Sequence, residues 1–339
     1  MDDPTIERVK IALLCGQRCS WEQGTAAIAF YELHHPASPT NSMIVNFAHD
    51  SITRTGKDGR VATQLNHPQN ENAQNDPFVN LECLHHAYEI TGDKKYVDAI
   101  DRHLQLYMKH GNKTADGVYS HLTDKCELWS DGMFMSPPVM LQLSKLHPEL
   151  KAEAIAQVRG LQKYLQDPET KLWWHVYSAD SQKFLRKLFW GVGIGWVCSG
   201  ITRMVLYLQD STEKDYLLAL VKETLDAALG HINSDGSFHD IIDDKSTFKE
   251  FNLSQQLSYT IYRLMAKGYL PIPKYLTTAE KLESAARNQV NKWGYIHPVC
   301  GSPNFDAPGT ASEGQSFFLL MEAAKRDFEG TQPLLRGSQ

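Results

Sequence analysis

Between Leu128 and Val139 the chain reads Leu-Trp-Ser-Asp-Gly-Met-Phe-Met-Ser-Pro-Pro-Val, which sets one carboxylate, Asp131, among Trp129, Met133, Phe134 and Met135. The nearest basic residue in sequence is Lys125. Aromatic and thioether neighbours that desolvate a carboxyl are expected to raise its pKa, because burial penalises the charged form. Such a group keeps its proton near neutral pH and can deliver it, as a general acid must. The competing role is a helix cap, with Ser130 or Asp131 opening a helix whose apolar face begins at Met133. A second carboxylate, Asp76 in Gln74-Asn75-Asp76-Pro77, also precedes a helical pattern, with Pro77 at the favoured first position, and is equally suited to capping. If both aspartates open inner helices one repeat apart, they face one cleft. Their charges would then push the two pKa values apart, leaving one carboxyl protonated and one ionised.

Trp21, Trp129, Trp173, Trp174, Trp190, Trp196 and Tyr119 all fall at turns or helix starts. In a cleft, such rings suit sugars, whose C–H faces pack on them; otherwise they serve core and hairpin packing. His175 follows two tryptophans and is placed to hydrogen-bond a substrate carboxylate or hydroxyl, or to serve structure. Trp190-Gly-Val-Gly-Ile-Gly-Trp196 is not a nucleotide loop, since it lacks the G-x-G-x-x-G order, follows no strand and has no suitably placed acid after it. It reads as a tightly packed helix start where glycine lets backbone approach a ligand. The pairs His34-His35 and His85-His86 lack metal-ligand spacing and read as surface or packing residues. No G-x-S-x-G elbow, P-loop or H-E-x-x-H motif is present.

These residues must be positioned by helices. Apolar residues recur at three-to-four spacing through residues 6–33, with a break at Ser20-Trp-Glu-Gln-Gly24 that can start a second helix. Residues 36–76 are polar, weakly periodic and read as a long loop. Further helices are expected over 78–88, 96–110, from Asp131 through a bend at Pro137-Pro138, and over 150–165, 191–207, 214–232, 247–265, 277–290 and 309–325. The stretch 170–176 reads as an aromatic turn or hairpin. Turns of one type recur at Asp116-Gly-Val-Tyr, Lys171-Leu-Trp, Asp235-Gly-Ser-Phe and Lys292-Trp-Gly-Tyr, about 55 to 64 residues apart. A period of this size means repeated helical hairpins. Six of them closing on themselves predict an all-α (α/α)6 barrel, one catalytic domain over 1–330 with a tail at 331–339; an open solenoid is the alternative.

The bulk properties agree. The chain has 339 residues, 42% hydrophobic and 22% charged, which is ample for one large core. A net charge of −6 with interspersed signs argues against nucleic acid or an anionic membrane as partner. No apolar run is long enough to span a bilayer, and the first ten residues lack the pattern of a leader. Six scattered cysteines read as buried apolar residues rather than disulfides, and Cys15 and Cys19, one helical turn apart, have no second pair to complete a zinc site. The expectation is a cytoplasmic monomer, or a secreted protein if a leader has been removed. Asn112 and Asn252 fit the glycosylation pattern without deciding between them.

The segment Trp129-Ser-Asp-Gly-Met-Phe-Met-Ser-Pro-Pro resembles the catalytic segment of the unsaturated glycuronyl hydrolases, glycoside hydrolase family 105 and its relative family 88. Ser20-Trp-Glu-Gln-Gly-Thr-Ala-Ala, Asn75-Asp-Pro, Trp190-Gly-Val-Gly-Ile-Gly-Trp, Thr247-Phe-Lys-Glu-Phe-Asn and Gly309-Thr-Ala-Ser-Glu-Gly-Gln resemble the family 105 branch common in fungi. The resemblance extends over nearly the whole chain. It implies an (α/α)6 barrel and hydration of the C4–C5 double bond that polysaccharide lyases leave on a terminal uronic acid. Asp131 would then protonate C4 and accept a proton from the water adding at C5, with Asp76 orienting substrate and keeping the Asp131 pKa high. His175, Trp129, Trp190, Trp196, Trp21, Trp174 and Met135 would contact the sugar. No metal or cofactor is implied. The substrate expected is an unsaturated galacturonyl-rhamnose from rhamnogalacturonan, with β-glucuronyl fragments of ulvan or glucuronan type, or a sugar-binding barrel without turnover, as alternatives. Many relatives carry Arg and Asn within a Trp-x-Arg-Gly-Asn-Gly-Trp stretch, where this chain has Val192 and Ile194. An arginine there would clamp the substrate carboxylate. Arg18, Arg54, Arg60 and Lys187 are the candidates to replace it.

Overall fold

A computed structural model of the chain describes residues 3–18, 20–34, 42–63, 72–301 and 304–336. Cys19, His35 and part of the tail lie outside the described residues, as does the side chain of His34. Among the described residues, thirteen α-helices alternate between two concentric rings. The inner ring consists of α2 (Ser20–His34), α4 (Leu81–Thr91), the broken pair α6 (Gly132–Met135) and α7 (Pro137–Leu143), α9 (Gly191–Tyr207), α11 (Asn252–Ala266) and α13 (Ser312–Arg336). It closes, because each of these packs on the next and α13 returns to α2. The outer helices α1 (Pro4–Gly16), α3 (Ser42–Thr53), α5 (Lys94–Gln105), α8 (Leu150–Leu165), α10 (Thr212–Leu229) and α12 (Ile272–Arg287) each lean on an inner neighbour. The fold is the expected (α/α)6 barrel of six hairpins.

The repeated turns have a common backbone. Gly117, Gly236 and Gly294 sit at φ between 84° and 90°, and Lys171 takes φ 66° in the remaining turn. Glycine occupies three of the four because a left-handed residue without Cβ is unstrained. In three turns one backbone N–H reaches the carbonyl four residues on, from Thr114 to Val118, Asn233 to Ser237 and Asn291 to Tyr295. Each turn passes the chain from an outer helix to the next inner one.

Three expectations need correction. The long loop at 36–76 contains helix α3, whose Ile44, Phe47, Ala48 and Ser51 are buried against the barrel. The tail does not begin at 331, because α13 continues to Arg336. Asn252 is fully buried at the start of α11, so no glycan can sit there. The aromatic stretch after α8 leads into a small antiparallel sheet, β1 (Glu127–Trp129), β2 (Val176–Ser178) and β3 (Lys183–Arg186), ordered β1-β2-β3. A second pair, β4 (Phe238–His239) and β5 (Lys249–Glu250), precedes α11. No helix among the described residues is long and apolar enough to cross a membrane.

The glycines of α9 serve packing within the protein rather than a ligand. A side chain at Gly193 would meet Ser130, one at Gly195 would meet Gln256, and one at Gly200 would lie 2.9 Å from the Cα of Phe134 in α6. Backbone cannot yield as a side chain can. Gly200→Ala is therefore expected to lower the unfolding free energy by about 1–3 kcal/mol in denaturant titration and to displace α6, which follows directly on Asp131.

Candidate active site

Five inner helices present their N-terminal ends to one cavity of about 500 Å³. Trp21 comes from the first turn of α2, Asp76 from a 3₁₀ turn (Asp76–Asn80) leading into α4, Asp131 from the residue before α6, Trp190 from the residue before α9, and Glu313 from the first turn of α13. The unpaired N–H groups at such ends favour negative charge. Neither aspartate spends its side chain on a cap. Asp131 stands at the cap position of α6 but makes no capping hydrogen bond, and Asp76 begins its own turn.

Each carboxylate has an imidazole instead. Asp76 Oδ1 lies 3.2 Å from His121 Nε2, and Asp131 Oδ2 lies 3.5 Å from His175 Nε2. Ser130 Oγ donates to Asp131 at 3.4 Å. Trp129 separates the two pairs. Its indole lies flat on His121 (4.3 Å between ring centres, 2° between planes) and meets His175 edge-on at 5.7 Å. The indole N–H is held by Glu127 at 3.0 Å. On the far side His175 stacks on Trp190 at 4.4 Å, and the Trp190 N–H donates to Asp240 at 3.1 Å. Trp196 and Met135 complete an apolar floor.

The electrostatics depart from expectation at Asp131. Burial pushes its carboxyl up, but the hydrogen bond and charge of His175, together with the charge of His121, outweigh it and hold the pKa below the usual value. Asp76 cannot raise it as expected, because His121 is paired to Asp76 and so presents positive charge to that side. Burial pushes His121 down, yet the pull of Asp76 takes its pKa above that of a free histidine. For His175 burial prevails over Asp131, and its pKa is depressed.

Of the residues expected in the site, Asp131, Asp76, His175, Trp129, Trp190, Trp196, Trp21 and Met135 line this cavity. Trp174 does not. It points to the outside of the hairpin, edge-on to Phe184 at 4.6 Å, with the Lys187 ammonium 4.8 Å over its ring. Trp173 is core, its N–H bonded to Thr224, and Tyr119 packs on Tyr107. The sequence reading missed His121, Arg186 and Glu313, which also line the cavity. Glu313 lies inside the Gly309–Gln315 motif and was open to notice; nothing in the local pattern marks His121. Among the described residues, three ligand-type side chains approach one another at His85, His86 and Glu89 of α4, within 4.8 Å and away from this cavity. The pair that lacks ligand spacing in sequence thus gains Glu89 in space. Both histidines are buried, and His86 is engaged, stacked on Tyr31 at 3.6 Å and bonded to Gln142 at 2.8 Å.

Residues 7–308 match the family model of Glycosyl Hydrolase Family 88. The unsaturated rhamnogalacturonyl hydrolase YesR of Bacillus subtilis is 22% identical over 222 residues, and the match covers 62% of this chain and 62% of that relative, less than two thirds of its length. A crystal structure of a possible member of family GH105 from Klebsiella pneumoniae superposes with a TM-score of 0.82 at 17% identity, covering 96% of this chain and 92% of that one. A family 105 glycoside hydrolase of C. acetobutylicum gives 0.78 at 17% identity, covering 95% and 99%. At such identities the two structures speak for the fold. The chain belongs to glycosyl hydrolase family 88.

Glu313 is fully enclosed, and its carboxyl is pushed up to about 8 by burial, with the nearby charge of Glu22 adding to the effect. A carboxyl whose folded pKa exceeds its ordinary 4.5 binds its proton more tightly when folded. Its stabilisation is complete below about pH 4.5 and is lost as the pH rises towards 8. Glu250, likewise about 8 through burial, adds a slope of the same sign. Glu313→Gln is therefore expected to flatten, though not abolish, the fall in thermal stability between about pH 5 and pH 8.5, measured by calorimetry across that range.

Proposed function

We propose that the chain is an unsaturated glycuronyl hydrolase, which removes the terminal 4,5-unsaturated uronic acid from lyase-generated oligosaccharides by hydrating its vinyl ether. The observation that carries this reading is Asp131. It is a carboxylate free of capping duty, with its side chain 13% exposed at the wall of a cavity whose lining includes indole rings, a thioether and a second carboxylate–imidazole pair, Asp76 with His121. A cavity of this volume holds a disaccharide-sized ligand.

In the reaction, the Asp131 proton adds to C4 and leaves an oxocarbenium ion shared between C5 and the ring oxygen. Water attacks C5 and returns a proton to Asp131, so the acid is regenerated. The hemiketal then opens, and the glycosidic bond breaks with release of the keto acid. In the free site Asp131 is held below the usual carboxylate range, so its acid form is made on binding. The sugar displaces water and brings its own carboxylate close, and both effects raise a neighbouring carboxyl's pKa. Burial holds the His175 pKa below that of a free imidazole, which limits the charge it sets against that uptake of a proton. Asp76, tied to His121, orients the sugar. The helix N-termini around the cavity suit an anionic substrate.

The preferred substrate is unsaturated galacturonyl-rhamnose from rhamnogalacturonan, supported by the name of the B. subtilis relative. The test follows the ultraviolet absorbance of the conjugated enoate in rhamnogalacturonan-lyase digests and, for comparison, in ulvan- or glucuronan-lyase digests. Wild type is expected to remove the absorbance, fastest with the rhamnogalacturonan digest. Asp131→Asn, with unchanged circular dichroism, is expected to be slower by roughly 10²–10⁴-fold, the range for loss of a general acid. No decay in any digest with folded wild type overturns the hydrolase reading. Faster decay in an ulvan or glucuronan digest moves the substrate to the β-glucuronyl class.

A further inference from the structure

A uronate entering this cavity meets several acidic side chains. Asp76 and Asp131 line it beside the Glu313 carboxyl, and Asp124 and Glu127 also belong to the lining. An anion in such company needs a fixed positive partner, since an unpaired charge in a partly dry site is costly. None of the four basic residues considered from sequence can serve. The Arg18 guanidinium is spent on the carbonyls of Cys15, Gly16 and Gln17. Arg54 pairs with Asp50, Arg60 with Asp58, and Lys187 lies over Trp174 outside the hairpin. None of the four lines the cavity.

Arg186 does. It ends β3, half-buried, and its guanidinium has no hydrogen bond or ion pair among the described residues. The sheet register aims it. Trp129 pairs with Val176, and Val176 pairs with Arg186, so the three form one row across β1, β2 and β3, and all three line the cavity. At the usual strand spacing the Arg186 backbone stands about 10 Å from that of Trp129, a gap its long side chain spans towards the sugar. A register irregularity between Val176 and Tyr177 bends the hairpin at this point, the kind of distortion that re-aims a side chain beside a site. The positive charge is also felt at His175, where it adds to the depression that burial causes. Lys125 is the other unpaired cation of the lining, but it is exposed on the loop before β1, outside the row.

We infer that Arg186 binds the carboxylate of the uronic acid, taking from the β2–β3 hairpin the role for which α9 carries only Val192 and Ile194. The inference rests on the function proposed above. The planar fork of a guanidinium matches a carboxylate with two parallel hydrogen bonds, which a lysine cannot copy. Because the carboxylate persists from ground state to transition state, its clamp acts mainly on KM.

The test compares an unsaturated uronate disaccharide with its C6 methyl ester, which is neutral. Wild type is expected to prefer the acid by roughly 10- to 100-fold in kcat/KM, the worth of one charge-assisted contact. Arg186→Ala is expected to lose that factor on the acid, chiefly through KM, and to change little on the ester, so that the preference in KM collapses. Arg186→Lys is expected to fall between them. A KM preference for the acid that survives in Arg186→Ala overturns the clamp while leaving the hydrolase reading intact. Calorimetric titration with galacturonate and its methyl ester reads the same contact without turnover. If wild type turns over neither disaccharide, the hydrolase reading fails. Equal galacturonate affinity in wild type and Arg186→Ala then removes the clamp as well.

Discussion

A carboxylate can face an apolar cavity in its charged form only if something polar stands behind it, and in this protein that support is imidazole. Asp76 rests on His121 and Asp131 on His175, and the two pairs are kept apart by a single indole, Trp129. The arrangement is economical in geometry. The same ring that separates the acids offers the sugar a face, and its N–H is locked by Glu127. The Asp131 pKa falls because the charges nearest to it are positive, whereas burial alone would have raised it. On the function proposed here, proton donation is a property of the occupied site, in which a bound anion and displaced water reverse the balance.

The barrel makes this possible by sorting charge along its axis. Inner helices point their N-termini at the cavity, where Asp76, Asp131 and Glu313 stand. Arginines gather toward the opposite end, where Arg203 of α9 pairs with Glu82, and Arg263 of α11 pairs with Glu32 and Asp327. Both placements agree with the helix dipole. Within the barrel, Asn252, Gln255 and Gln256 of α11 are fully buried, and α9 is buried over its whole first three turns and beyond. The close approach of α9 to α6 at Gly200 and to Ser130 at Gly193 is what holds the Asp131 segment against the wall. On the proposed mechanism, stability of the α6–α9 contact and activity are coupled, because the segment that packs carries Asp131.

A good deal of this was legible in the chain itself. Helical periodicity and the recurring turns yielded six hairpins and the closed barrel, because local backbone preferences repeat at each turn. Helix α3 was missed because its short apolar stripe lies in a stretch rich in Asn, Ser and Thr, and only docking on the barrel makes it helical. The small sheet was missed because strands of three or four residues carry too little pattern to read.

The sequence by itself determined the residue types of the site. An aspartate in an aromatic and methionine-rich segment, a second one before a proline, and tryptophans at helix starts follow from local composition, and they all carry side chains that suit a sugar acid. Tertiary structure alone decided which of them meet. His121 reaches Asp76 from 45 positions along the chain, Trp174 turns away while His175 turns in, and Arg186 arrives through strand register rather than through any motif. The physical reason is range. Propensity and periodicity act over a few residues, whereas the charge state of a buried carboxyl depends on whatever side chain stands a few ångströms away in space.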